Sequence, residues 1–227
     1  MTTDSERNPR AMPTVDSGSR GSRRRRHIPV PLIGVAMLFS GAALLAHITT
    51  GVSLRLALAL SASTLCATIW IVWTRALPGG RLALRRTAAV GAIAGLAATA
   101  AYDLSRVLLI RIDHSAFNPF AAIPVFGLLL AGASAPPTLR VAAGTAFHLL
   151  NGIAFGTSFC LLLGTRGVLA GIAWGLALES LQLALFPGWL GIRQFREFAQ
   201  ISALGHVAYG TVLGLTCRSL MRRKEGI

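Results

Sequence analysis

Two histidines and two carboxylates fall inside long apolar stretches of this sequence: Asp103, His148, Glu179 and His206. An ionised side chain in the middle of a membrane-spanning helix costs roughly 2.5–3.5 kcal/mol on insertion scales, so such groups usually face the bundle interior and mark a function. Imidazole and carboxylate together suit iron, copper, manganese or zinc. These residue types therefore predict a metal site, and Asp103 and Glu179 are also predicted as catalytic acids or bases.

Each of the four has a polar residue three positions later, which lies on the same face of a helix. These neighbours are Arg106, Asn151, Gln182 and Tyr209. Metal-bound histidines and carboxylates are usually supported by such hydrogen-bonding groups, so we predict this role for all of them. His47, near the outer end of the first apolar stretch, is predicted as a fifth ligand.

The composition indicates that these groups lie in a membrane. The 227 residues are 53% hydrophobic and only 13% charged, with a mean hydropathy of +0.62, whereas about a quarter of the residues of a soluble domain are charged. The net charge of +14 comes from arginines that stand between apolar runs, which argues against a nucleic-acid binder. We therefore predict a bacterial inner-membrane protein whose partners are the lipid bilayer and a small or lipid-soluble substrate, with no nucleic acid. The sequence does not decide whether it forms an oligomer.

Six apolar stretches approach or exceed the roughly 20 residues that a spanning helix needs. They are residues 28–49, 52–73, 87–110, 141–163, 167–186 and 199–220. The predicted fold class is all-α, a polytopic transmembrane helical bundle over residues 27–221. Residues 1–26 are predicted to be a disordered basic cytoplasmic tail, and residues 222–227 a second cytoplasmic tail.

An internal repeat is visible in the second half of the chain. GAIAGLAATAAYD at 91–103 aligns without gaps with GVLAGIAWGLALE at 167–179, which places one carboxylate over the other. The pattern His-x3-Gly-x3-Gly then begins at both His148 and His206. Both matches in the same order predict a duplicated two-helix unit. The predicted units are residues 91–163 and 167–218.

A proline-rich insertion, residues 118–137, sets the number of spans. It is either a seventh span or a re-entrant or interfacial segment, because its apolar core is short and prolines interrupt it. Six spans with both termini in the cytoplasm give an excess of basic residues inside, whereas seven divide them evenly, so the positive-inside rule favours six. With six spans, all four candidate groups lie at a similar depth, roughly 10 Å below the outer surface.

Three stretches resemble small uncharacterised bacterial multi-pass membrane proteins, loosely the YagU-like proteins. They are GAIAGLAATAAYDLSR, FHLLNGIAFG and GHVAYGTVLG. The resemblance covers residues 91–218 at most and implies an inner-membrane location but little about chemistry. No functional residue is carried over from it.

These features favour a membrane-embedded, metal-dependent enzyme with oxidoreductase-like chemistry on a lipid-soluble or small metabolite. The alternative is a proton- or metal-coupled transporter of small solutes, since repeats, broken helices and buried titratable groups are typical of transporters. Two further alternatives are a metal-free, acid-catalysed isoprenoid cyclase and an accessory membrane subunit. The cysteines Cys66, Cys160 and Cys217 are interpreted as small packing residues, because their spacing fits no metal or redox motif.

Overall fold

The computed structural model of the chain describes residues 30–113, 118–184, 188–191 and 194–222. All regular structure in these ranges is helical. The helices are α1 (Val30–Ala36), α2 (Phe39–Thr50), α3 (Leu54–Arg75), α4 (Pro78–Asp113), α5 (Ala122–Ala131), α6 (Pro137–Leu163), α7 (Val168–Glu179) and α8 (Phe195–Arg222). A π-helical turn, Ser180–Ala184, continues α7. The predicted N-terminal tail, and the C-terminal tail beyond Arg222, lie outside the described residues.

Four helices, α3, α4, α6 and α8, are long and apolar enough to span a membrane. The pair α1 and α2 passes the same test together and would make a fifth span. Large apolar side chains point outward, with Leu169, Ile112 and Trp70 exposed by 82%, 75% and 70%. The prediction of an all-helical, multi-pass membrane protein is therefore confirmed at this level of detail.

The first predicted helix, residues 28–49, is broken rather than continuous. It bends by 45° between α1 and α2. The hydroxyl of Ser158 on α6 donates to the carbonyl oxygen of Gly34 at 2.6 Å. The amide of Leu38 donates to Val35 instead, one residue short of the α-helical spacing. A side chain that takes over a helical carbonyl is a recognised cause of a kink.

Glycines bring two helix pairs into backbone contact, α4 with α6 and α7 with α8. A Cβ atom added to Gly95 would overlap the carbonyl oxygen of Gly152, so only glycine allows this approach. The contacts are Gly95 with Gly152, Gly91 with Gly156, Gly171 with Gly210, and Gly167 with Gly214. In both pairs residue numbers rise along one helix as they fall along the other, so the helices run antiparallel.

The proline-rich insertion contains α5, which is only 10 residues long. Gly127 packs against the backbone of Arg140, and Gly144 packs against that of Ile123. The helix α5 therefore runs antiparallel along the first turns of α6. It is about half as long as a spanning helix must be.

Two of the cysteines form a covalent link between helices. Cys160 on α6 and Cys217 on α8 are joined by a disulfide, with Cα atoms 6.1 Å apart. Both are buried in the core. The interpretation of these two as packing residues only is therefore corrected, because the antiparallel helices bring together two thiols that are 57 residues apart in the sequence. Cys66 is a free cysteine, exposed on α3.

Candidate functional site

The first histidine–carboxylate pair joins α4 to α6. The Nε2 atom of His148 lies 3.1 Å from each carboxylate oxygen of Asp103. Side chains on a helix lean toward its N-terminus, so in an antiparallel pair they lean toward each other. The close Gly95–Gly152 contact then brings the imidazole and the carboxylate within hydrogen-bonding distance.

The second pair joins α7 to α8. The Nδ1 atom of His206 lies 2.9 Å from Oε2 of Glu179 and 2.9 Å from the carbonyl oxygen of Ser202. The Ser202 hydroxyl donates to the same carboxylate oxygen at 2.9 Å. It also lies 3.0 Å from the hydroxyl of Tyr102. This pair is thus part of a hydrogen-bond network that reaches α4.

The ring of Tyr102 lies between the two pairs. Its centroid is 6.0 Å from that of His148 and 4.7 Å from that of His206. Tyr102 directly precedes Asp103 in the sequence, and its hydroxyl hydrogen-bonds to that of Ser202. It therefore contacts both halves of the site. Tyr102 therefore connects the two pairs across the α4–α8 contact.

A partly open cavity lies beside both pairs. The cavity has a volume of about 80 Å³, enough for several water molecules or one small molecule. Its polar lining comprises Thr99, Tyr102, Arg106, His148, Asn151, Glu179, Gln182, Ser202, His206 and Tyr209. Asp103 does not line it, so this carboxylate holds His148 from the side away from the cavity.

The four residues predicted as supporting groups all line this cavity: Arg106, Asn151, Gln182 and Tyr209. Arg106 is 3% exposed and donates through Nη2 to the carbonyl oxygen of Pro119, at the start of the insertion. Its guanidinium carbon lies 4.6 Å from the centroid of the Tyr102 ring, in a cation–π contact. None of the four forms a described side-chain hydrogen bond with the residue that it was predicted to support.

His47 is not part of the site. Its Nδ1 atom lies 2.8 Å from the carbonyl oxygen of Val52, in the turn between α2 and α3. This imidazole therefore contacts the turn that follows its own helix. The structure brings together Asp103 with His148 and Glu179 with His206, and leaves His47 apart.

The four predicted ligands fall into two pairs rather than one cluster. Among the described residues, no group of three or more His, Cys, Asp or Glu side chains gathers closely enough to hold a metal ion. Each carboxylate instead lies within ion-pair distance of one imidazole. The arrangement can orient each imidazole and hold a proton between the partners, which is the usual role of a carboxylate behind a histidine.

Two residues of the site were not predicted as functional, Tyr102 and Ser202. Ser202 stands four residues before His206, which places it on the same helix face, so the spacing contained a signal for it. Tyr102 was not among the residues that the sequence singled out. Only the packing of α4 against α8 shows that its ring separates the two pairs.

The chain belongs to DUF6789, a family of unknown function, whose model matches residues 85–226. The match includes every residue of both pairs and of the polar cavity lining, whereas α1, α2 and α3 precede it. No curated protein and no solved structure matches the chain. Membership in an uncharacterised family agrees with the expectation from the sequence, while the likeness to YagU-like proteins stays a prediction.

Proposed function

We propose that the chain is a membrane-embedded enzyme that transfers protons to and from a small substrate bound in the cavity. The observation that carries this proposal is the presence of two histidine–carboxylate pairs beside one cavity. A histidine oriented by a carboxylate is the usual form of a general base, and a second protonatable side chain beside the substrate completes acid–base catalysis.

The cavity lining suggests a role for each pair. His148 lines the cavity while Asp103 does not, so His148 accepts a proton and Asp103 orients its ring. Glu179 itself lines the cavity, so it donates a proton to the substrate, supported by Ser202 and His206. The substrate loses one proton and gains another, which amounts to an isomerisation or to the departure of a protonated leaving group.

We propose six membrane crossings with both termini in the cytoplasm. The bent pair α1–α2 and the helices α3, α4, α6 and α8 supply five. The sixth is α7, extended by its π-helical turn as an apolar helix from Val168 to Leu183. Both α4 and α5 pack antiparallel to α6. This supports a re-entrant insertion, because a complete extra span between α4 and α6 would make these two helices cross in the same direction.

We also propose that the two helix pairs are copies of one unit. The glycine contact between Gly95 and Gly152 corresponds, in the sequence alignment, to that between Gly171 and Gly210. The histidine–carboxylate pairs also correspond, because Asp103 aligns with Glu179 and His148 with His206. Equivalent contacts at aligned positions support a duplication.

A second candidate is the metal-dependent oxidoreductase. The observation in its favour is the carboxylate behind each imidazole, because metal-bound histidines are usually supported in this way. Elemental analysis of the purified protein tests it, with His148→Ala/His206→Ala as the comparison. A near-stoichiometric iron, copper, zinc or manganese content that the double variant loses would favour this candidate over metal-free proton transfer.

The transporter alternative rests on the position of the site between two similar helix pairs, a feature of many secondary transporters. Solute uptake by proteoliposomes that depends on a proton gradient, together with no chemical change of any solute, would favour transport over catalysis.

The proposed activity is tested with the full chain in lipid nanodiscs. A small-metabolite extract is incubated with the protein and compared by untargeted mass spectrometry before and after. We compare the wild type with Glu179→Gln, His148→Gln and His47→Gln, the last being a matched histidine outside the cavity. The wild type and His47→Gln should convert the same compounds, and the other two variants should leave them unchanged.

Conversion that persists in both Glu179→Gln and His148→Gln would contradict the proposal. So would the absence of any conversion by the folded wild type. If these variants change only thermal stability, the accessory-subunit alternative is favoured instead.

A further inference from the structure

Unpartnered polar groups are concentrated at this one cavity. Among the described residues, five buried side-chain nitrogen or oxygen atoms lack a hydrogen-bond partner. Three of them belong to cavity-lining residues: Nε of Arg106, Oδ1 of Asn151 and the hydroxyl of Tyr209. These residues are only 3%, 8% and 5% exposed. A buried polar group without a partner costs about 1–3 kcal/mol, so three at one cavity indicate a polar ligand.

The charges of the site indicate the sign of the charge that this ligand carries. Each described carboxylate at the site is already paired with a histidine. Arg106 is bonded to the backbone carbonyl of Pro119 and lies over aromatic rings. Among the described residues no carboxylate lies within ion-pair distance of its guanidinium. A buried cation is stable when it is paired with an anion, so the ligand is the group that can supply the negative charge.

The remaining walls restrict the size and character of the ligand. Phe126, Phe155 and Leu178 are among the apolar side chains that line the cavity. The cavity volume is only about 80 Å³. The ligand therefore combines one anionic group with a short apolar body, a few carbon atoms in length.

We propose that the cavity binds a short-chain carboxylate whose oxygens accept hydrogen bonds from Arg106 and Tyr209. Arginine matches the geometry of a carboxylate, and hydrogen bonds between charged partners are the stronger ones. Asn151 accepts a hydrogen bond from a hydroxyl group, if the ligand carries one. This inference rests on the proposed function, because it names the substrate class of the same site.

The test measures ligand binding by the full chain in nanodiscs of neutral lipid. Trp189 lines the cavity, so tryptophan fluorescence reports occupancy. The probes are butyrate, the uncharged butyramide of similar shape, and inorganic phosphate, which lacks an apolar body. Butyrate should bind at least about tenfold more tightly than either of the others, because only butyrate offers both the charge and the chain.

Three variants test the assigned contacts. Tyr209→Phe removes a hydroxyl that has no hydrogen-bond partner among the described residues. It should therefore leave thermal unfolding unchanged and weaken butyrate binding roughly tenfold. Arg106→Gln should weaken it roughly a hundredfold. Arg111→Gln changes an exposed arginine on the same helix, outside the cavity lining, and should have no effect. If Arg106→Gln does not fold, Tyr209→Phe decides the test.

Equal binding of butyrate and butyramide would overturn the inference, as would unchanged butyrate binding by Tyr209→Phe, or no binding of any probe. Glu179→Gln separates this inference from the proposed proton transfer. The variant should bind butyrate about as tightly as the wild type, because Arg106 and Tyr209 remain in place, while it loses turnover. Binding without turnover in the wild type would contradict the proton transfer alone.

Discussion

The two histidine–carboxylate pairs are built from corresponding helix positions but have different surroundings. The Asp103 carboxylate is 28% exposed and, among described side chains, hydrogen-bonds to His148 alone. The Glu179 carboxylate is 10% exposed, lies 2.9 Å from Nδ1 of His206 and accepts a hydrogen bond from Ser202. Asp103 lies behind its imidazole, whereas Glu179 faces the cavity directly.

This difference shows how two similar helix pairs can hold different chemistry. The glycine contacts fix the distance between the backbones in both pairs, so each carboxylate can reach its histidine. Ser202 on α8 bonds to Glu179, and the additional contact of α8 with α4 then adds Tyr102 to this pair only. The network around Glu179 immobilises a carboxylate that faces the substrate, while Asp103 serves to orient His148.

The largest expected difference between the pairs is in catalysis. Glu179→Gln should lower turnover by about a thousandfold, because it removes the proton donor itself. Asp103→Asn should lower turnover by only about ten- to a hundredfold, because His148 remains and loses only its orientation. Rates of conversion, measured on any compound found by mass spectrometry, check this order. Equal losses in both variants would show that the pairs have the same role.

Stability should differ in the same direction. Glu179→Ala leaves His206 and Ser202 without their partner in a buried site, so the free energy of unfolding should fall by about 3 kcal/mol. Asp103→Ala should lower it by about 1 kcal/mol, since it removes a less buried carboxylate that bonds to His148 alone among described side chains. Unfolding by titration with a denaturing detergent provides the comparison. A larger loss for Asp103→Ala would reverse the assignment of the more buried pair.

The glycine contacts should behave alike in the two units. Gly95→Ala and Gly171→Ala each force a Cβ atom against a backbone carbonyl, so each should lower stability by about 2 kcal/mol. Gly79→Ala is the control, because a Cβ atom there would meet nothing within 4 Å. Thermal unfolding of the three variants in one detergent tests the correspondence. A large effect in only one unit would count against a duplicated unit.

A smaller effect on stability is expected at Ser202, whose hydroxyl contacts, of the two pairs, only Glu179–His206. Ser202→Ala removes the hydroxyl that donates to Glu179, so it should lower stability by about 1 kcal/mol. Ser105→Ala is a matched control, because that hydroxyl bonds only to the carbonyl oxygen of Tyr102 on its own helix. Similar values for the two variants would mean that the network around Glu179 contributes little.

Much of the fold was predictable because the apolar stretches are long and the glycine patterns are periodic. The stretch 141–163 predicted α6 closely, and within the proline-rich segment 118–137 the structure has the short helix α5, of 10 residues. The break in the first helix was not predictable, since it depends on a hydroxyl from α6 that is 124 residues away from Gly34. The disulfide was missed for the same reason, because it depends on how α6 and α8 pack.

The sequence predicted which residues form the site better than it predicted how they are arranged. The cost of polar groups in a membrane singled out Asp103, His148, Glu179 and His206. Their pairing in twos depends on which helices touch, and the contact of α4 with α8 has no marker in the sequence. Ser202 was within reach of the spacing argument, whereas the position of Tyr102 between the two pairs was not.

The most direct test of the two-pair site is nuclear magnetic resonance of histidine labelled with ¹⁵N, with the full chain in lipid bilayers. His→Gln variants assign the imidazole signals. Asp103→Asn should shift the signal of His148, Glu179→Gln should shift that of His206, and neither should shift that of His47. If either carboxylate variant shifts both site histidines equally, or shifts neither, the two-pair site is contradicted.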